Sequence, residues 1–140
     1  MELKVKRIHK DSKIPVYHHR GDAGLDLFSG VDCILGVKEV RSIPTGIKIA
    51  IPQGYVGLVW DKSGLSLQGV HRLAGVVDSG YRGEVQVVLV NLGNASFVIK
   101  KGMKIAQLLI QPVSEVKVVE TEELDETSRG ENGFGSTGMY

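Results

Sequence analysis

Apolar positions in this chain fall into short runs rather than a helical period. Four runs stand out: Ile47-Lys48-Ile49-Ala50-Ile51, Tyr55-Val56-Gly57-Leu58-Val59-Trp60, Val85-Gln86-Val87-Val88-Leu89-Val90 and Ile105-Ala106-Gln107-Leu108-Leu109-Ile110. Each alternates or runs continuously between glycine and proline signals, a pattern that predicts strands. Pro44, Pro52 and Pro112 sit at or near the ends of such runs, where a missing N–H does little harm. Only residues 63–68 suggest a helical turn, and Gly64 weakens it. Short strands punctuated by eighteen glycines predict an all-β fold, a sandwich or a barrel.

The pattern stops after Val119. Residues 120–128 are acidic, lack aromatics and contain one apolar residue, Leu124, so they cannot order themselves by burial. Beyond them lies a glycine-hydroxyl cluster, Arg129-Gly130 and then Gly133-Phe134-Gly135-Ser136-Thr137-Gly138. The expected organisation is a β domain over residues 1–119, an acidic linker over 120–128 and a glycine-rich arm over 129–140. Gly133, Gly135 and Gly138 fit the G-x-G-x-x-G dinucleotide pattern, but that pattern needs a following helix, and no chain remains to form one. The cluster is therefore expected to grip an anion from a mobile tail.

Composition narrows the picture further. A chain of 140 residues forms one domain with a real core. Seventeen basic and sixteen acidic residues give a net charge of +1. That balance speaks against a nucleic-acid or membrane-surface footprint and leaves room for a small anionic ligand. Cys33 is the only cysteine, so no intrachain disulfide or zinc knuckle forms, and a buried apolar thiol is expected. No signal peptide and no apolar run of transmembrane length are evident, which makes the cytoplasm the expected location.

Four further clusters carry candidate chemistry. In Asp22-Ala23-Gly24-Leu25-Asp26-Leu27, Asp26 faces away from two leucines. It is either a carboxylate for a hydrated divalent ion or a solvent-facing strand residue. Trp60-Asp61-Lys62-Ser63-Gly64-Leu65-Ser66 ends a strand in a Lys-Ser-Gly turn. Its N–H groups, hydroxyl and ammonium suit a phosphate, and an ordinary capped helical turn would look the same. Leu73-Ala74-Gly75-Val76-Val77-Asp78-Ser79-Gly80-Tyr81-Arg82-Gly83-Glu84 reads as a β-hairpin. Asp78 there is either a structural turn aspartate or a site carboxylate, and Tyr81 could stack on a ring. In Lys101-Gly102-Met103-Lys104-Ile105-Ala106-Gln107-Leu108, Gln107 is polar inside an apolar strand and needs partners if buried. The histidines fall at no metal-ligand spacing, since His18 and His19 are adjacent and His9 and His71 are isolated.

These five clusters, in this order across residues 23–138, resemble the five motifs of the trimeric deoxyuridine triphosphatase (dUTPase) family. The resemblance implies a jelly-roll-like fold, a distorted β-barrel or sandwich with a flexible C-terminal arm. It also implies a homotrimer with active sites between subunits, each closed by another subunit's arm. The implied reaction is Mg2+-dependent hydrolysis of dUTP to dUMP and pyrophosphate, which limits uracil in DNA and supplies dUMP for thymidylate synthesis. Carried over by motif, Asp78 resembles the base that orders the attacking water, and Asp26 an outer-sphere magnesium ligand. Tyr81 resembles the residue that packs on deoxyribose. Backbone groups of Gly75, Val76 and Val77, and others near Gln86, would pair with uracil. Lys62, Ser63, Gly64 and Gln107 would contact phosphates. Phe134, with Gly135 beside it, resembles a lid over the base, while Arg129, Ser136 and Thr137 would hold the γ-phosphate.

Two departures stand out. Lys62 occupies a place where the family commonly has arginine, keeping the charge but losing the planar fork. Ser66 replaces a residue that is usually small and apolar. Two rival readings share the pocket: a non-catalytic dUTP-binding regulatory module, and the related dCTP deaminase. The deaminase would need a glutamate near Val88 in a strand that holds no acid there.

Overall fold

A computed structural model describes residues 1–140 as two packed antiparallel sheets. In chain order the elements are β1 (Lys4–Arg7), β2 (Leu25–Phe28), β3 (Cys33–Leu35), β4 (Val40–Ala50), β5 (Tyr55–Trp60), α1 (Ser63–Ser66), β6 (Val70–Leu73), β7 (Val76–Val77), β8 (Glu84–Asn91), β9 (Phe97–Ile99) and β10 (Lys104–Pro112). One sheet runs β1-β4-β8-β6, the other β2-β10-β5-β7, and β3 pairs with β9 in a small third sheet. The four apolar runs of the sequence all become strands, and the one helical turn appears where Ser63 begins. The architecture is a jelly-roll-like sandwich with no closed barrel.

No two consecutive strands pair with each other. Alternation explains how β4 and β8 each turn one face inward. Ile43, Ile47 and Ile49 of β4 point inward, as do Val85, Val87 and Leu89 of β8. They meet Leu27, Val59, Ile105 and Leu108 from the opposite sheet in one continuous core. Fully burying each such side chain contributes about 1.5–3 kcal/mol.

The hairpin expected around Asp78 does not form. β7 pairs with β5, whereas β8 pairs with β4 and β6, so the turn between them crosses from one sheet to the other. The local sequence carries a valid turn signal, but its strand partners lie far away along the chain. β10 ends at Pro112, and residues 113–140 form no strand or helix. No helix is long and apolar enough to cross a membrane.

One buried polar residue ties the loops at one end of the sandwich. Asn91 is completely buried; its Nδ2 donates to the carbonyls of Leu35 (3.0 Å) and Ala95 (2.8 Å), and its Oδ1 accepts from the Gly93 N–H (2.9 Å). Nothing in the sequence pattern singles it out. Asn91→Ala leaves those groups unpaired and is expected to cost about 3 kcal/mol, read as a lowered urea midpoint with unchanged slope.

Candidate active site

The divergence of β7 from β8 opens a cavity of about 210 Å3 between the two sheets. Its walls include Val59 of β5, Gly75, Val76, Val77, Asp78 and Tyr81, and Gln86 of β8. β7 is an edge strand, and the first residues of β8 pair only with β4 because β6 joins at Val88. In a closed hairpin these strands would consume each other's main-chain N–H and C=O groups. Here one side of each backbone is left for a ligand.

Gly75 is required by this geometry. It has φ +120°, and a Cβ there would lie 2.8 Å from the Val59 carbonyl oxygen. A separate main-chain hydrogen bond fixes the wall, since Val59 N–H donates to Gly75 O at 2.8 Å. On the other wall the Gln86 side chain accepts a hydrogen bond from Ser42 Oγ.

The turn itself is built without the Asp78 carboxylate. Tyr81 N–H donates to the Asp78 carbonyl, and the Arg82 guanidinium donates to the carbonyls of Ser79 (2.7 Å) and Tyr81 (2.8 Å). The Asp78 side chain is exposed and has no partner in the chain, so it is not a structural turn aspartate. Tyr81 lies across Gly83, where a Cβ would fall 2.3 Å from the phenol oxygen, and its hydroxyl donates to Glu84 O at 2.9 Å. The Glu84 carboxylate in turn accepts from Gly46 N–H at 2.8 Å. Sequence reasoning assigned no role to Gly83 or Glu84; both follow only from how the turn folds.

A second cavity, about 380 Å3 and mostly polar, lies beyond the end of β5. It gathers Asp26, Lys62, Ser63 and Gln107, with Gly64 in the adjoining turn of α1. Lys62 stands at the start of α1 without a side-chain cap, so the first N–H groups of that turn have no acceptor within the helix. Gln107 fits beside Gly24, whose missing Cβ would meet Gln107 Oε1 at 2.3 Å, and its Nε2 donates to Asp61 O at 2.8 Å. Asp61 anchors the turn from below, accepting from Arg72 N–H (2.7 Å) and contacting His71 Nδ1 (2.6 Å). Arg72 in turn stacks over Trp60, 4.7 Å from the ring centroid.

Asp26 is not solvent-facing. It is 2% exposed, because both faces of β2 are covered. Lys62 Nζ lies 2.6 Å from Oδ1 and Lys104 Nζ 2.7 Å from Oδ2. The second contact is an ion pair to an oxygen that is closed off from solvent. Burial pushes the Asp26 carboxyl up, but Lys104 and then Lys62 outweigh it and hold it below the usual carboxylate range. Lys104 went unassigned in the sequence reading, because its approach to Asp26 depends on the pairing of β10 with β2.

The arm meets neither cavity in this chain. Arg129 is exposed and bonds only to Asn132 O, and Phe134 is fully exposed. Gly135, Ser136 and Thr137 lie in consecutive tight turns, with Gly135 at φ +90° and Gly138 at +82°. The structure thus brings the expected site residues together as two sets on one chain and leaves the third set outside both.

The Asp26 ion cluster makes acid stability the measurable property. A depressed carboxyl pKa contributes stability that is present above the unfolded value of about 3.9 and lost as pH falls through the folded value. The urea midpoint should therefore drop as pH falls below about 4. Asp26→Asn should abolish that component and cost about 2–3 kcal/mol at neutral pH, less than a fully buried pair because the lysines are partly solvated.

Comparison with known proteins now bears on this geometry. The dUTPase family model matches residues 10–138. The chain is 52% identical to the deoxyuridine 5'-triphosphate nucleotidohydrolase of Clostridium kluyveri over 99% of each chain. It is 46% identical to that of Alkaliphilus metalliredigens, covering 98% of this chain and 97% of the relative. Among solved structures it is similar to the Staphylococcus bacteriophage 80alpha dUTPase with dUPNHPP, at TM-score 0.93, 31% identity and 99% coverage of both chains. A dUTPase mutant from phage phi11 of S. aureus, described with a structural Mg(II) ion, matches at TM-score 0.82 and 27% identity over 88% of this chain and 98% of the other. With its two-sheet sandwich, its split cavities and matches along almost its whole length, the chain belongs to the dUTPase family.

Proposed function

We propose that this chain hydrolyses dUTP to dUMP and pyrophosphate, with uracil in the cavity between β7 and β8 and the triphosphate toward the Lys62–Gln107 cavity. The observation that carries the reading is the open backbone on both cavity walls beside the unpartnered Asp78 carboxylate. Main-chain N–H and C=O groups at fixed spacing match the edge of uracil and mismatch cytosine, whose edge reverses donors and acceptors. Each buried group left unpaired costs about 1–3 kcal/mol. Family membership supports the substrate class.

In this reading Asp78 is the general base that orders water for attack on the α-phosphorus. Tyr81 packs against the deoxyribose and leaves no room for a 2′-hydroxyl. Its ring is held in place by Glu84 O, so the contact is preorganised. Lys62, Ser63, Gly64 and Gln107 hold phosphate oxygens. The arm supplies Phe134 over the base, with Arg129, Ser136 and Thr137 on the γ-phosphate, and it closes a site on another subunit of a homotrimer.

Magnesium enters on the substrate. No three metal-ligating side chains come together within one chain. Asp26 lines the polar cavity with Lys62 and Gln107, so it stands beside the place a hydrated ion carried by the phosphates would occupy. When bound, such an ion would neutralise charge on the departing pyrophosphate. The chain's residues orient the triphosphate and hold the proton-accepting carboxylate. The Glu84 carboxylate is committed to Gly46 N–H, so β8 presents no free acid for deamination.

The reading is tested by pyrophosphate release from a panel of dUTP, UTP, dCTP and dTTP, with and without magnesium. Wild-type protein should turn over dUTP alone at an appreciable rate. Asp78→Asn should lower kcat by at least about 10²-fold while dUTP still binds, as measured by calorimetry. Wild-type turnover in that variant refutes the base assignment. Tyr81→Ala should raise kcat/KM for UTP relative to dUTP by on the order of tenfold or more, and an unchanged ratio excludes the stacking role.

A further inference from the structure

The polar cavity carries more acid than base along its walls. Asp22, Asp26 and Asp61 line it against one ammonium, that of Lys62. Each carboxylate is already engaged by the chain. Asp22 Oδ2 accepts from His19 N–H at 2.8 Å, Asp26 is held by Lys62 and Lys104, and Asp61 by Arg72 N–H and His71. Lys62 shares its charge with Asp26, and Gln107 Nε2 already donates to Asp61 O. Ionised phosphate oxygens accept hydrogen bonds and donate none, so a phosphate here depends on donors rather than on net charge. The lining also holds an imidazole that the reading above leaves unused, His18. It lies outside the five motif clusters, whose span begins at residue 23.

Main-chain ties put His18 there. Asp26 N–H donates to Val16 O at 2.8 Å, which closes residues 17–24 into a loop against β2 and leaves His18 two positions from the tie. Asp22 N–H donates to His19 O at 3.2 Å and pins the loop a second time. The His18 ring stands edge-on to His19, with 4.4 Å between centroids. Its Nδ1 lies 3.2 Å from Lys104 Nζ. An ammonium has donors and no acceptor, so Lys104 donates and Nδ1 accepts. The neutral ring then carries its proton on Nε2. No group of the chain accepts that proton. Asp26 holds Lys104 in turn, with Oδ2 2.7 Å from Nζ. A fixed cation at Nδ1 polarises the ring, so Nε2–H donates more strongly. We propose that His18 is a further substrate-binding residue, its Nε2–H donating to an oxygen of the phosphates beyond the first. The inference rests on the dUTP reading above: with Asp78 at the α-phosphorus, groups of the polar cavity serve the β- and γ-phosphates.

Calorimetry with two nucleotides tests the contact. One is dUPNHPP, the nucleotide of the phage 80alpha structure, and the other is dUMP, which lacks the outer phosphates. His18→Ala should weaken dUPNHPP about tenfold or more, the scale of a hydrogen bond to a charged acceptor, and dUMP by less than about twofold. His18→Gln, whose amide N–H can stand in for Nε2–H, should bind dUPNHPP within about threefold of wild type. Nitrogen-15 spectra of the free protein should show the His18 ring protonated at Nε2. That nitrogen should shift on adding dUPNHPP and stay in place on adding dUMP. Equal weakening of both nucleotides by His18→Ala makes the ring a structural support and overturns the proposal. A glutamine variant as weak as the alanine one, or a free ring protonated at Nδ1, overturns it as well. Tight wild-type binding of dUPNHPP that His18→Ala leaves unmoved overturns the contact alone. Wild-type protein that binds neither nucleotide overturns the dUTP reading together with the contact, so the two failures are told apart.

Discussion

Everything at the candidate site follows from β7 and β8 belonging to different sheets. Six residues of turn and loop separate Val77 from Glu84, yet one strand is tied to β5 and the other to β4. Pairing them with each other would close the cavity and spend the main-chain groups on its walls. The long-range pairings prevent this. β4 and β8 bury Ile43, Ile47, Val85, Val87 and Leu89 together, and a single turn signal cannot compete with that burial. The cavity is therefore a by-product of the sandwich topology, and it needs no special loop to hold it open.

A second constraint is electrostatic. Asp26 is buried at a price in desolvation and is kept ionised by two ammonium groups from separate elements. It locks β2, β10 and the turn at Lys62 into one positively biased unit. On the proposed reading, a triphosphate entering there would meet cations whose positions are already fixed by a carboxylate behind them. The lysine at position 62 thus spends part of its charge on Asp26, and Lys104 provides a further cation that the family motif alone does not point to.

The strands were legible because the apolar runs lie between turn residues, as in Val85 to Val90. The residue types of the site were legible as well, since Asp78, Tyr81, Lys62 and Gln107 stand in recognisable order. Pairing was not legible. The expected hairpin at Asp78 failed because the partners of β7 and β8 are distant in sequence. The burial of Asp26, the reach of Lys104 and the bonds of Asn91 depend on the same non-local contacts. Alternation told which way Asp26 points relative to its leucines, but not that the outer face of β2 is also covered. The need for glycine at 75 and 83 is likewise a matter of neighbours, namely the Val59 carbonyl and the Tyr81 ring.

The stack of Arg72 on Trp60 has an optical consequence. Trp60 is the only tryptophan in the chain, and it is about half exposed. It stands next to Asp61, whose carboxylate fixes the main chain of Arg72 and whose carbonyl receives Gln107. Indole emission therefore arises from a single place, at the foot of the Lys62 turn, under a guanidinium whose position depends on that turn. The molecule carries its own fluorophore one residue before Asp61 of the polar cavity, and its spectrum reports on the turn beside that cavity without any label.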